Sequence, residues 1–404
     1  MLKQELKRLL KNKLLYVAFF VVLIVAFIGF YNAALADKDG NTYIVDLDTN
    51  ERVHLTQYEK IEFQKDVCAP YLGRVLDDDM VEEFLNIMME CQMQQSQFIY
   101  EETPMLNIAL SYMREMSIYS EERLESLGDG YRKVDIGDQP YIISSVDTFM
   151  NKNDLTEPIV VNLGNGWYNL LENLSITYMV GLIALVIVFI SVFASDNRYN
   201  IRGLVLTTRY GRSRNILMRV LSSLIVVSVL FIFITLVITV LYVSVYGIGG
   251  YTTPLYMTEF GAATLYRGTE MSVGDVYGQY VILGLACYFM ITLFVIMVSA
   301  IESSEYIGAI ISIILLLLPW ITSKLFTINN PIMNSILNVM PINLFALNAS
   351  NNGVIWYLGK SALVNMGVTN APVSFVVMLL FIYVSISLSF FTVTYIVAKR
   401  KEVS

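Results

Sequence analysis

Residues Val220–Val243 read VLSSLIVVSVLFIFITLVITVLYV, and no Asp, Glu, Lys, Arg or His interrupts them. A helix of roughly 20 such residues crosses about 30 Å of hydrocarbon. Because lipid offers a bare backbone amide no hydrogen-bond partner, a segment that crosses it should be helical. This stretch is therefore predicted to be a transmembrane helix.

Five further runs share this freedom from charge: Leu14–Ala34, Ser175–Ser195, Tyr277–Ala300, Tyr306–Thr322 and Val373–Ala398. Apolar residues make up 55% of the chain and charged residues only 15%, whereas soluble domains carry about 25% charged residues. The sequence predicts a mainly α polytopic membrane protein with six transmembrane helices.

The first of these helices, residues 14–36, also resembles a signal peptide. Basic residues precede its apolar core, and Ala34-Leu35-Ala36 follows it like a cleavage site. The apolar core is longer than that of a typical signal peptide, and further spans follow, which favours an uncleaved helix.

Basic residues set the expected orientation. They cluster in residues 1–13, between the second and third spans, and at Lys399–Lys401. With six spans these segments share one side, and positive charge favours the cytoplasm, so both termini are predicted to be cytoplasmic. Residues 1–13 are predicted to form an amphipathic surface helix, whose apolar face carries Leu2, Leu6, Leu9 and Leu10. A simple basic anchor without further role is the alternative.

Residues 37–172 then form an acidic extracytoplasmic domain. They hold 27 acidic residues against 10 Lys or Arg, a net charge of about −17. The domain is predicted to be mixed α/β but mostly helical. The pattern indicates a hairpin in Thr42–Thr56, helices over Asp77–Gln97 and Pro104–Leu127, and turns at Asp129-Gly130 and Gly137-Asp138.

Two features of this domain leave alternatives open. Cys68 and Cys91 both fall in it, so they form either a disulfide or two free thiols. Asp77, Asp78 and Asp79 suit the start of a helix, where the dipole favours negative charge. A divalent-cation site is the competing interpretation, but no calcium-loop spacing follows.

The motifs of common enzymes are missing from the sequence. There is no Gly-x-x-x-x-Gly-Lys-Ser/Thr phosphate loop, no zinc-binding spacing and no Gly-x-Ser-x-Gly elbow, and His54 is the single histidine. The chain is therefore predicted not to be an enzyme and to bind no cofactor or metal of its own. The charge-free spans argue against proton- or ion-coupled transport, which usually needs charged residues at membrane depth. Sodium coupling through backbone carbonyls at broken helices stays open.

The basic stretch Phe193–Arg219 reads FASDNRYNIRGLVLTTRYGRSRNILMR. A short helix over Ile201–Tyr210, ended by Gly211, would expose a surface for another protein; a solvated basic loop is the alternative. The stretch resembles the ABC-2 family of ATP-binding-cassette permeases, in which Phe-x-x-Glu, a Gly, a short helix, Thr-x-x-Gly-Arg and a Lys link the second and third spans. The matching residues are Phe193, Leu204, Thr208, Gly211 and Arg212, while Asp196, Asn200 and Arg219 replace the family's Glu, Gly and Lys.

The layout extends this resemblance over the chain outside the acidic domain. Residues 173–404 would form the five-helix remainder of a permease, with a coupling helix near 200–212. The external loop near 326–371 is predicted to contain two short helical pieces, Ile332–Val339 and Val354–Val364, which are re-entrant or interfacial. The resemblance implies an ATPase-coupling surface made of Asp196, Arg202, Leu204, Thr208, Arg209, Gly211 and Arg212.

The same resemblance implies an exporter subunit in the bacterial plasma membrane. Its partners would be a second permease subunit, membrane lipid and separate ATPase subunits that hold ATP and Mg; no nucleic-acid partner is expected. A charge-free interior suits an apolar or amphipathic cargo such as a peptide, an antimicrobial or a lipid. The alternative is a membrane-anchored sensor or assembly protein without transport activity.

Overall fold

Six helices are long and apolar enough to cross a membrane, which confirms the prediction of a mainly α polytopic membrane protein. The computed structural model describes residues 2–36, 43–45, 52–93, 104–113, 115–137, 139–152, 158–163, 165–198, 213–252, 272–302, 304–325, 333, 336–337, 339–345 and 375–401.

The helices and strands follow in chain order. They are α1 (Leu2–Leu10), α2 (Lys13–Ala34), β1 (Tyr43–Val45), β2 (Arg52–His54), α3 (Gln57–Cys68), α4 (Asp78–Met93), α5 (Pro104–Met113), β3 (Ser117–Ile118), α6 (Glu121–Leu127), β4 (Tyr131–Ile136), β5 (Gln139–Ser144), α7 (Val146–Lys152), α8 (Asn165–Phe189), α9 (Ser191–Arg198), α10 (Ser213–Tyr246), α11 (Val273–Ile301), α12 (Glu305–Leu325) and α13 (Phe375–Lys401). The membrane-length helices are α2, α8 with α9, α10, α11, α12 and α13.

The chain separates into two units. The first comprises Met1–Ile28, Glu172–Ile238 and Gly278–Ser404, and the second comprises Gly29–Leu171 and Thr239–Tyr277. In the first unit α8 and α11 are the most buried spans, with 56% and 61% of their apolar windows inside the protein. Aromatic and hydroxyl side chains join them. The hydroxyls of Tyr280 and Ser175 are hydrogen-bonded at 2.5 Å, and the Tyr288 hydroxyl donates to the Tyr178 carbonyl oxygen at 3.2 Å.

The described part of the loop before α13 packs against this core. Residues 341–345 are helical and buried. The Asn343 side-chain amide donates to the carbonyl oxygen of Pro319 at 3.1 Å, and the Phe345 ring lies 5.5 Å from that of Tyr178. The helical piece predicted at Val354–Val364 lies outside the described residues. That the whole loop is re-entrant stays a prediction.

The second unit contains the acidic region, and it has two small sheets. β1 pairs with β2 in the predicted hairpin, with Ile44 opposite Val53. A second sheet has the order β3-β5-β4. The predicted single helix over Pro104–Leu127 is wrong, because Ser117 and Ile118 pair with β5 and Ser120 then caps α6. The β4–β5 hairpin was missed apart from its turn, where Gly137 adopts a φ of 60°.

The predicted helix over Asp77–Gln97 is confirmed as α4, whose described part ends at Met93. Asp77 accepts the Met80 N–H at 2.8 Å and so caps α4. Asp78 accepts the Val146 N–H at 2.8 Å, at the start of α7. Helix capping therefore accounts for two of the three clustered aspartates. Among the described residues, no group of three or more His, Cys, Asp or Glu could hold a metal ion.

Candidate functional site

The second span is interrupted near one end. α8 ends at Phe189, α9 begins at Ser191, and Ile190 lies between them. Such a break releases backbone N–H and C=O groups that need other partners. In the sequence, this break comes shortly before the basic segment 199–212.

Ser299, in the last turn of α11, holds the break with one hydroxyl. Its Oγ donates to the Ile190 carbonyl oxygen at 2.5 Å and accepts the N–H groups of Phe193 and Ala194 at 3.0 and 3.1 Å. A serine hydroxyl has one hydrogen to donate and two lone pairs to accept, so this arrangement uses its full capacity. Ser299 therefore acts as an N-cap for α9 from a different helix.

Arg219 of α10 holds the same break from a second direction. Its Nη1 donates to the Val192 carbonyl oxygen at 3.0 Å, and its guanidinium lies 5.3 Å from the centre of the Phe193 ring. Only 3% of Arg219 is exposed. The sequence counted this arginine among the loop cations, whereas the structure places it inside a membrane-length helix. A buried charge requires a partner, and the first helix of the chain provides it.

That partner is Glu5 of α1. Its carboxylate lies 3.9 Å from Arg219 and 3.0 Å from Arg8, and Arg8 also donates to the Val192 carbonyl oxygen at 3.4 Å. The predicted amphipathic helix is present as α1, and its Leu9 is 5% exposed. We call Glu5, Arg8, Arg219 and Ser299, together with the backbone of residues 190–194, the junction. It joins α1, the α8–α9 break, α10 and α11.

The structure tests the predicted coupling residues only in part. Asp196 lies in α9, but its side chain is outside the described residues, as are Arg202, Leu204, Thr208, Arg209, Gly211 and Arg212. Their role stays a prediction. Sequence reasoning missed Glu5 and Ser299. For Glu5 a signal existed, because it is the one acid among the cations of residues 1–13. Ser299 carries no such signal, because hydroxyls are common in every span.

A second set of contacts lies in the second unit. The Tyr246 hydroxyl, in the last turn of α10, donates to the Ala33 carbonyl oxygen at 2.8 Å and accepts from the Asn169 amide at 3.1 Å. The Lys65 ammonium donates to the Val245 carbonyl oxygen at 2.5 Å. A cation at the C-terminal end of a helix is favoured by the helix dipole. Helix α3 of the acidic region is thus attached to the end of a span.

Among the described residues of the acidic region, three groups have shifted pKa values. Burial raises the pKa of the Cys68 thiol to about 12. The hydrogen bond to Glu115 raises the pKa of Lys152, and the backbone N–H of Thr56 lowers that of Glu59. Cys68 is a free, fully buried thiol whose Sγ lies 3.9 Å from the Met105 Sδ. The structure therefore contains no bridge from Cys68 to Cys91, and the side chain of Cys91 lies outside the described residues.

Chemically, the junction is a network of polar contacts that joins helices. It consists of charge-assisted hydrogen bonds to backbone carbonyls and one hydroxyl that joins two helices. No protein-family model, curated protein or solved structure matches the chain.

Proposed function

We propose that this chain is the permease subunit of an ATP-driven exporter of the ABC-2 type. In this proposal it lies in the bacterial plasma membrane with both termini in the cytoplasm and residues 37–172 outside. It works with a second permease subunit and with separate ATPase subunits that hold ATP and Mg. The observation that carries the proposal is the junction, which holds the backbone of residues 190–194, a few residues before the stretch of sequence that resembles the coupling helix of such permeases.

The junction supports this proposal because it connects segment 199–212 to several helices at once. A force applied to that segment would pass through α9 to residues 192–194. There it would meet Arg219 of α10, Arg8 of α1 and Ser299 of α11, at distances of 3.0 to 3.4 Å. A loop that served only as a positive anchor would need none of these contacts. A docking surface for a motor subunit needs such a connection.

The nature of the cargo follows from the charge distribution. The described side chains buried in α8 and α11 are uncharged, such as Tyr178, Ser175 and Leu283. A membrane interior of this composition favours an apolar or amphipathic cargo, because a charged cargo would lose its hydration without finding a partner. A hydrophobic peptide, an antimicrobial or a lipid fits this requirement.

The first experiment identifies the partner. The tagged chain is solubilised from native membranes in mild detergent, and the co-purified proteins are identified by mass spectrometry. Recovery of an ATP-binding-cassette ATPase, in about equal amount to the chain, supports the proposal. Recovery of the chain without such an ATPase, together with ATP hydrolysis that does not change when the chain is removed, overturns it. That result would favour the sensor or assembly role.

The second experiment locates the coupling surface. Charge reversal in the double variant Arg209→Glu/Arg212→Glu is expected to lower ATPase activity of the assembled complex at least tenfold while membrane insertion stays normal. The matched control is Arg400→Glu/Lys401→Glu, which makes the same change of charge in the C-terminal tail. Full activity in the first variant, or an equal loss in the control, would refute this placement of the docking surface.

A further inference from the structure

An apolar cleft of about 420 Å³ lies among α10, α11 and α13 of the first unit. Its walls include Leu217, Leu221, Phe289, Leu388 and Phe391. Ser387 is the one polar residue among the described residues that line it, and its hydroxyl donates to the Tyr383 carbonyl oxygen at 2.6 Å. The cleft therefore presents an almost wholly apolar surface, and Leu388 beside it is 61% exposed.

The dimensions of the cleft limit what can fill it. From Leu217 to Leu224 it follows α10 for about 10 Å, at about 1.5 Å per residue. The cleft is therefore an elongated apolar space of about 420 Å³ that runs along the spans. Part of one hydrocarbon chain, lying parallel to the helices, suits this shape.

Cations lie at one end of the cleft. Arg214 is exposed and lies one turn before Leu217 on the same face of α10. On α13, Phe391, Tyr395 and Lys399 share a face, and the Lys399 ammonium lies 5.9 Å from the centre of the Tyr395 ring. Helix geometry puts Arg214 about 4 Å and Lys399 about 12 Å beyond the cleft, measured along the helix axes. Both side chains are long enough to reach an interfacial headgroup.

We propose that the cleft binds one anionic phospholipid, with an acyl chain along the apolar walls and the phosphate between Arg214 and Lys399. Basic side chains next to an apolar cleft between transmembrane helices recognise anionic lipid headgroups. A zwitterionic lipid would supply the acyl chain but would lose much of the attraction to the cations. This inference concerns a lipid retained by the protein, and it holds whether or not the chain is a permease.

The test measures lipid retained by the purified full chain. Native mass spectrometry after titration with phosphatidylglycerol is expected to show one tightly bound molecule per chain and much weaker binding of phosphatidylcholine. The cleft-filling variant Leu221→Trp/Leu388→Trp is expected to lose the tight site. Replacing both cations, in Arg214→Gln/Lys399→Gln, is expected to weaken phosphatidylglycerol binding by about 30-fold. It should leave phosphatidylcholine binding unchanged.

Matched controls separate a built site from the general lipid layer. Ile232→Trp/Leu236→Trp places tryptophans at exposed positions of α10 that do not line the cleft. Lys11→Gln/Arg400→Gln removes the same amount of charge elsewhere. Tight binding that survives both controls supports the proposal. Equal loss in the controls, unchanged binding in the cleft-filling variant, or efficient cross-linking of Leu388→Cys to the same residue in a second chain would overturn it.

Discussion

Two pairs of spans in the first unit differ in how they use their hydroxyl groups. Several hydroxyls of α8 and α11 bond to the other span, as Ser299 of α11 does to Ile190 at the end of α8. In α13, the hydroxyls of Ser389, Thr392 and Thr394 donate to carbonyl oxygens four residues earlier in the same helix. The burial follows the same division, with 56% and 61% of the windows of α8 and α11 inside the protein but only 17% for α12 and α13.

Amino-acid composition therefore does not decide which membrane helices form the core. All four helices are free of charge over most of their length and carry Ser or Thr. Apolar surface gives little preference for a protein neighbour over lipid, so packing and cross-helix hydrogen bonds select the inner pair. A hydroxyl that donates to a carbonyl oxygen of its own helix needs no partner on another helix, so that helix can face lipid.

Removing the buried cation Arg219 should give the largest loss in the free energy of unfolding. Arg219→Met leaves Glu5 without its second cation and the Val192 carbonyl oxygen without its closest donor. We expect a loss of about 3–5 kcal/mol in the free energy of unfolding, measured by denaturation in mixed micelles. The double variant Arg219→Met/Glu5→Leu should lose less than the sum of the losses of Arg219→Met and Glu5→Leu, because the two side chains interact with each other. Strictly additive losses would contradict the assigned partnership.

Close packing between α8 and α11 gives the next prediction. A Cβ at Gly181 would overlap the Tyr288 hydroxyl, which is buried. Gly181→Ala is expected to cost about 1–3 kcal/mol, and Tyr288→Phe in the same chain should recover part of it. The control is Gly278→Ala in α11, where a Cβ meets no atom within 4 Å. That change should be neutral or stabilising by about 0.5–1 kcal/mol. Equal loss at the two glycines would be inconsistent with this packing.

Removing one hydroxyl from an inner span and one from an outer span tests the difference between them directly. Ser299→Ala leaves the N–H groups of Phe193 and Ala194 without this acceptor, and we expect a loss of about 1–3 kcal/mol. Thr392→Ala removes a bond within one helix and should change the stability by less than about 0.5 kcal/mol. Thermal unfolding of both variants in the same detergent measures the difference. The division between inner and outer spans would fail if the two losses were equal.

Cys68, in the second unit, gives the smallest expected effect at neutral pH. Its pKa is raised to about 12, so the folded state keeps the proton that the unfolded state releases near pH 9. The stability that this thiol contributes is present below about pH 9 and is lost as the pH rises from about 9 towards 12. Cys68→Ala should flatten this part of the stability profile. A maleimide is expected to modify Cys68 only after unfolding, and rapid modification of the folded protein would contradict its burial.

The sequence predicted the six spans because charge-free length is a local property. It also predicted α1 and α4 and singled out the basic stretch Phe193–Arg219, but it treated Ser175–Ser195 as one span and did not predict the break at Ile190. It missed the sheet of β3, β4 and β5, because Ser117 and Ile118 become a strand only through pairing with residues more than 20 positions away. The junction was missed for a similar reason. Arg219 looks like any loop cation until α10 is seen to begin at Ser213, one and a half turns earlier.

The bond between Ser299 and the α8–α9 break also provides a way to recognise distant relatives. It requires a Ser or Thr in the last turn of the fourth span wherever the second span breaks before a basic segment. Divergence can erase sequence identity along lipid-facing surfaces, where many apolar residues are interchangeable. A substitution is tolerated less well at a position whose single hydroxyl is hydrogen-bonded to three backbone groups of another segment. A search by this spacing could find descendants of the same ancestor that overall similarity does not reveal.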